Sequence, residues 1–128
     1  MEIRARIRTF GLRRHGRNYP PADKYVDCRF LPNPWSFHEL RSLSGAHPRV
    51  RSAMVAMLAK LPEHRAELNA VADKMENYVF DVLRGTCIPT ICFYCHGGMH
   101  RSVFAAEYVS ERLSLRGVIV ELVHLDAA

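Results

Sequence analysis

Cys95-His96-Gly97-Gly98-Met99-His100-Arg101-Ser102 separates an apolar run rich in β-preferring residues, 88–94, from a segment of helical periodicity, 102–116, so it reads as a strand-to-helix turn. That reading decides the fold. Gly117 ends the helix and residues 118–125 form a further strand, and a strand–helix–strand order favours a right-handed parallel crossover. In such α/β units ligands bind at the carboxyl ends of the strands, where the octet falls. Two adjacent glycines let the backbone approach a ligand closely, and the first amides and the dipole of the following helix favour an anion. Arg101 adds a planar donor fork suited to phosphate, and His96 and His100 donate or accept near neutral pH. The bland alternative is a glycine turn with a solvated arginine.

Working outward, Ile3, Ala5, Ile7 and Thr9 alternate with Arg4, Arg6 and Arg8, which predicts a half-buried strand over 3–9 whose basic face is either solvated or a charge-protected edge. Residues 11–23 are turn-rich and basic, a surface loop positioned to overhang the site. A second strand over 24–30 delivers Pro32-Asn33-Pro34, an extended rigid exit. On that strand Asp27 and Arg29 share a face that is either solvent-exposed or the wall of a polar site. Residues 35–45 read as a short helix capped by Ser36 with Glu39 completing a capping box, and closed by Gly45. Val50, Met54 and Leu58, then Leu68, Val71, Met75 and Val79, follow helical spacing, with Pro48 at one helix start and Gly85 past the end of the next. These predict a helical hairpin packed on the sheet. The strand over 88–94 is apolar on both faces, as for a central strand covered on each side. His124 and Asp126 fall at the end of the last strand, within reach of the same crevice.

The expectation is a single α/β domain over residues 1–128, a small mixed or parallel sheet flanked by helices with a glycine-rich anion-binding turn. A chain of 128 residues with 48% hydrophobic and 24% charged residues buries a core without disulfides or metals. No apolar run approaches the about 20 residues needed to span a bilayer, and the N-terminus lacks a secretory pattern, so the reading is cytoplasmic. Cys92 and Cys95 would point to opposite faces of a strand, which argues against a metal or dithiol pair. The net charge of +5 favours anionic partners, either small phosphates or nucleic acid.

Two chemistries fit the turn. In a non-catalytic domain, the glycine amides, Arg101 and Ser102 hold the phosphate of a small metabolite while Asp27, Asn33 or a histidine selects the rest. Alternatively, Cys95, five intervening residues and Arg101 reproduce the phosphate loop of cysteine-dependent phosphatases, where a thiolate attacks phosphorus. Tyr94 replaces the histidine usual before that nucleophile, and no general acid is identifiable. A nucleotide-driven enzyme finds no support, because no Walker sequence occurs.

Val26-Asp27-Cys28-Arg29-Phe30-Leu31-Pro32-Asn33-Pro34 and Cys95 through Val103 resemble two motifs of the C-terminal domain of the RapZ family. The similarity continues through Phe10-Gly11, Leu40-Arg41-Ser42-Leu43-Ser44-Gly45, Glu107 and His124. The resemblance implies an α/β domain similar to part of phosphofructokinase that binds glucosamine-6-phosphate or a related amino sugar without a cofactor, with small RNAs or proteins as partners. On the matched positions the ligand residues would be Asp27, Arg29, Asn33, Cys95, His96, Gly97, Gly98, His100, Arg101, Ser102 and His124. The family's N-terminal nucleotide-binding domain has no counterpart here, so a free-standing form is expected; a homo-oligomer stays open. His96 stands where threonine is usual and Leu125 where arginine is common. No basic tail follows, which leaves Arg4, Arg6, Arg8, Arg13, Arg14 and Arg17 as the residues for RNA.

Overall fold

The N-terminal alternation forms a strand displaced toward the site, β1 over Ala5–Gly11. In the computed structural model, which describes residues 2–127, β1 is interior, so the charge-protected edge is excluded. It pairs in parallel with the strand at Thr90–Cys95 and, on its other side, with the strand at Val120–His124. With β2 at Lys24–Asp27, β3 at Thr90–Cys95 and β4 at Val120–His124, the order is β2-β3-β1-β4. Every pairing is parallel, which removes the mixed alternative. The crossover from β3 to β4 therefore steps over β1. The strand carboxyl ends all lie at one margin of the sheet.

Among the described residues four α-helices accompany the sheet: α1 Leu12–His15, α2 Pro48–Ala59, α3 Pro62–Val82 and α4 Arg101–Leu115. Proline begins both α2 and α3, where its missing N–H costs nothing, and the His47 ring accepts a hydrogen bond from the Arg49 amide at 3.1 Å. The helical stripes at Val50, Met54 and Leu58 and at Leu68, Met75 and Val79 join one core with Ala106, Val109 and Leu113 of α4 and with Ile7, Ile91 and Phe93 of the sheet. Burial of each large side chain in this set stabilises the fold by about 1.5–3 kcal/mol. The helix α4 lies against β1, β3 and β4, with α3 against α4 and α2 against α3. Buried Glu76 of α3 meets Arg112 of α4 at 2.5 Å, and Arg116 approaches at 3.5 Å.

The opposite face of the sheet is covered as well, as the apolar character of both faces of β3 predicts. Alternation places Phe10, Cys92 and Tyr94 there, outside the helix-covered core, and aromatic side chains cover them. Phe10 stacks on Tyr94 at 5.3 Å, and Tyr19 leans on Phe10 at 5.1 Å and on Tyr25 at 5.4 Å. Cys92 and Cys95 do point to opposite faces: Cys95 belongs to the helix-covered core and Cys92 does not.

Candidate anion-binding cavity

The turn 96–100 is held from beneath. The Cys95 thiol donates to Ser102 Oγ and accepts from the Gly98 amide, both at 3.3 Å, and Cys95 is 3% exposed. Gly98 has φ 74°, and a Cβ there would lie 2.5 Å from the Gly11 nitrogen; one on Gly11 would meet the Gly97 carbonyl at 2.5 Å. The close approach expected of the paired glycines is therefore, at Gly98, an approach to the end of β1 and not to a ligand. Gly97 borders open space.

A second segment is locked onto this turn. His100 is turned inward and 6% exposed, with Nε2 donating to the Leu43 carbonyl at 2.7 Å and the Leu40 carbonyl at 3.1 Å. Because carbonyls only accept, the proton sits on Nε2. The Gly45 amide donates to the Met99 carbonyl at 2.6 Å, and a Cβ on Gly45 would fall 2.4 Å from the His100 carbonyl. Gly45 is thus a contact point for the turn and does not close a helix. Residues 34–45 instead contain two 3-10 turns, Pro34–Ser36 and His38–Leu40. Asn33, whose Oδ1 accepts from the Trp35 amide at 3.1 Å, is the cap; the Ser36–Glu39 capping box does not form. Asn33 can do this because flanking prolines hold it extended.

These segments enclose a cavity of about 530 Å³ bordered by Arg13, Asn33, Trp35, Arg41, His96 and Arg101, with Cys95, Gly97 and His100 behind them. Arg13 arrives with α1, whose position is fixed by its own amide donating to the His96 carbonyl at 2.9 Å. Arg41 donates through Nε to the Trp35 carbonyl at 2.6 Å and stacks its guanidinium 5.1 Å from the indole. Arg101 Nη1 donates to the Arg29 carbonyl at 3.1 Å. Among the described residues, no carboxylate borders the cavity. Arg101 also opens α4, so the positive end of a 15-residue helix adds to the three guanidinium charges.

Of the residues expected at the site, Asn33, Cys95, His96, Gly97, His100 and Arg101 border the cavity, while Asp27, Arg29, Gly98, Ser102 and His124 do not. The strand β2 ends at Asp27, not at 30. Beyond it Asp27 accepts the Arg29 amide at 3.0 Å and pairs with its guanidinium at 2.6 Å. The Arg29 hydrogen bond holds the Asp27 carboxyl below its ordinary value, the nearby Arg101 charge contributing least. His124 is spent on Thr9 (2.9 Å) and Glu107 (3.0 Å), and Asp126 on the Gly11 amide (2.7 Å) and Arg14 (3.1 Å). Both tie strand ends together behind the turn. Ser102 is fully buried beneath it.

Sequence reasoning missed Arg13, Trp35, Arg41, Ser42 and Met99 as cavity residues. The signals were present for some: Arg41 and Ser42 lie in the stretch 40–45 that carries the family resemblance, and Arg13 lies in the loop expected to overhang.

A family model described as the RapZ C-terminal domain matches residues 3–128. Among curated relatives, a nucleotide-binding protein of Koribacter versatilis is 36% identical over 83% of this chain and 34% of its own length. One from Frankia alni is 41% identical over 82% and 35%, and one from Streptomyces griseus 36% identical over 98% and 36%. The chain spans about a third of the length of these relatives.

Proposed function

The chain belongs to the RapZ C-terminal domain family, and from that premise we propose that the cavity binds a small phosphorylated sugar or nucleotide sugar, without chemistry, and passes its occupancy to a partner. The observation that carries this reading is a cavity edged by Arg13, Arg41 and Arg101 with no carboxylate among the described residues that line it. Arginines left without counter-charge favour an incoming anion, and their planar donors match phosphate oxygens. Arg101, aimed by the Arg29 carbonyl and sitting at the start of α4, holds the phosphate; Asn33 and His96 face the remainder of the ligand. Cys95 serves as a support in this scheme, since its sulfur is engaged by Gly98 and Ser102. In-line attack on phosphorus would need an open approach to the sulfur, and Cys95 is 3% exposed beneath the turn.

The relay follows from the bonding of the turn. His100 and Gly45 couple it to residues 40–45, and the Arg13 amide couples it to α1, so an anion that shifts the turn is felt on two surface segments. Either a protein or an RNA reads such a change; the RNA arm rests on Arg6 and Arg8, which project from β1 on the aromatic face away from the helices. No helix among the described residues is long and apolar enough to cross a membrane, and a cytoplasmic setting is part of the proposal.

Calorimetric titration with glucosamine-6-phosphate is the test. Wild-type protein binds, and Arg101→Ala loses about 1.5–3 kcal/mol, the range for hydrogen bonds to charged groups. Equal affinities for the two proteins remove the assignment.

A further inference from the structure

The charge around the cavity exceeds what one phosphate monoester neutralises. Arg13, Arg41 and Arg101 come from three separate segments, and among the described residues none of them pairs with a carboxylate. Guanidiniums keep their proton at any physiological pH, so the rim carries three permanent positive charges. Asp27, which feels the Arg101 charge, is already paired with Arg29. A phosphate monoester brings about −1.5 to −2, leaving a residue of positive charge at the rim. The donors are also unspent. Arg41 and Arg101 each give one N–H to a backbone carbonyl, which leaves most of each five-donor fork free.

The arginines reach the cavity from three directions. Arg101 stands at the start of α4, beside the turn. Arg41 rises from the segment after the second 3-10 turn and lies over Trp35, and Arg13 borders the cavity from α1, whose amide donates to the His96 carbonyl. Trp35 is 47% exposed and offers a large aromatic surface on which a ring can stack. It stands in the cavity wall on the Arg41 side.

We propose that the cavity takes a ligand with two phosphoryl groups, of the nucleoside diphosphate or nucleoside diphosphate-sugar class. One phosphoryl group lies at Arg101 and the start of α4, the second between Arg13 and Arg41, and the ring system lies against Trp35. This rests on the cavity being the anion site proposed above, and it replaces a monophosphate as the preferred ligand.

Trp35 is the only tryptophan in the chain, so its fluorescence reads occupancy directly. The probes are glucosamine-6-phosphate, inorganic pyrophosphate, uridine diphosphate, uridine diphosphate-glucose and fructose-1,6-bisphosphate, titrated at one ionic strength. The nucleoside diphosphates are expected to bind about tenfold or more tighter than glucosamine-6-phosphate, the worth of one further charge-assisted contact. Fructose-1,6-bisphosphate separates two phosphoryl groups in general from a linked diphosphate, and pyrophosphate isolates the part due to the ring. Arg13→Ala, whose side chain makes no hydrogen bond among the described residues, should weaken the nucleoside diphosphates about tenfold more than it weakens glucosamine-6-phosphate. Arg13→Glu should reverse the preference. Arg101→Ala weakens every probe. If glucosamine-6-phosphate binds as tightly as the nucleoside diphosphates, or Arg13→Ala weakens all probes equally, the two-phosphoryl proposal is wrong while the anion site stands. If fructose-1,6-bisphosphate and pyrophosphate match uridine diphosphate, the nucleoside class is wrong. If no probe binds, both proposals fall.

Discussion

Replacing Gly98 with alanine tests how the turn is built. At φ 74° an alanine pays for left-handed backbone, about 1–2 kcal/mol. Its Cβ would also stand 2.5 Å from the Gly11 nitrogen and 2.8 Å from the Phe10 carbonyl carbon, both backbone atoms of an interior strand that cannot swing aside. Forcing them apart adds about 1–3 kcal/mol, for a total of about 2–5 kcal/mol. Two companion variants separate these contributions. Gly11→Ala makes the same collision from the other side, 2.5 Å from the Gly97 carbonyl, but at φ −114° carries no left-handed strain, and should lose about 1–3 kcal/mol. Gly97→Ala, with nothing within 4 Å of its Cβ, should stay within about 0.5 kcal/mol. Taking about 2.1 cal/mol/K per residue for the entropy of unfolding over 128 residues, each kcal/mol corresponds to roughly 4 °C. Gly98→Ala should therefore melt about 8–20 °C below wild type by calorimetry, with Gly11→Ala between it and Gly97→Ala. Equal melting of Gly98→Ala and Gly97→Ala would refute the packing of the turn on β1.

Two further outcomes follow from groups away from the cavity. His124 donates from Nε2 to Glu107 and is hydrogen-bonded to the Thr9 hydroxyl through Nδ1; Thr9→Val leaves that nitrogen without its partner and should cost about 1–2 kcal/mol in urea unfolding at neutral pH, an unchanged midpoint arguing against the bond. Burial pushes the Cys92 thiol from 9.0 up to about 11 and Cys28 well above 9.0. Between these limits the native state keeps protons that the unfolded chain releases, so this contribution is intact below about pH 9 and lost as pH rises toward about 11. The melting temperature should fall over that window less steeply in Cys92→Ala than in wild type, and identical slopes would show that Cys92 is not the group responsible.

Much of the fold was legible because the hydrophobic periods were clean. Val50, Met54 and Leu58 and the α3 stripe needed only helical spacing, and the apolar run before Cys95 could only be an interior strand. Strand limits were less legible, because Asp27 bends the chain through its own side chain and ends β2 where apolar alternation continues to Phe30. The helix expected over 35–45 failed for a similar reason. Proline on both sides of Asn33 moved the cap three residues upstream of the expected serine, and Gly45 was needed for contact with His100, a demand made by a residue 55 positions away in the chain. The octet marked the cavity, yet half of its meaning was different. Gly98, Cys95 and Ser102 build the turn from below, and only their neighbours Gly97, His96 and Arg101 face outward. The side chains opposite, Arg13, Trp35 and Arg41, belong to segments whose approach depends on tertiary contacts that no local pattern announces.

Amide chemical shifts recorded while glucosamine-6-phosphate is titrated into nitrogen-15-labelled protein test most directly whether this cavity is an anion site. The account predicts saturable shifts concentrated at His96, Gly97, Arg101 and Ser102 and extending to Arg13 and Arg41, and their loss in Arg101→Ala. Shifts that are absent at millimolar ligand, or that centre on Arg6 and Arg8 of β1 while the turn stays unmoved, would contradict it.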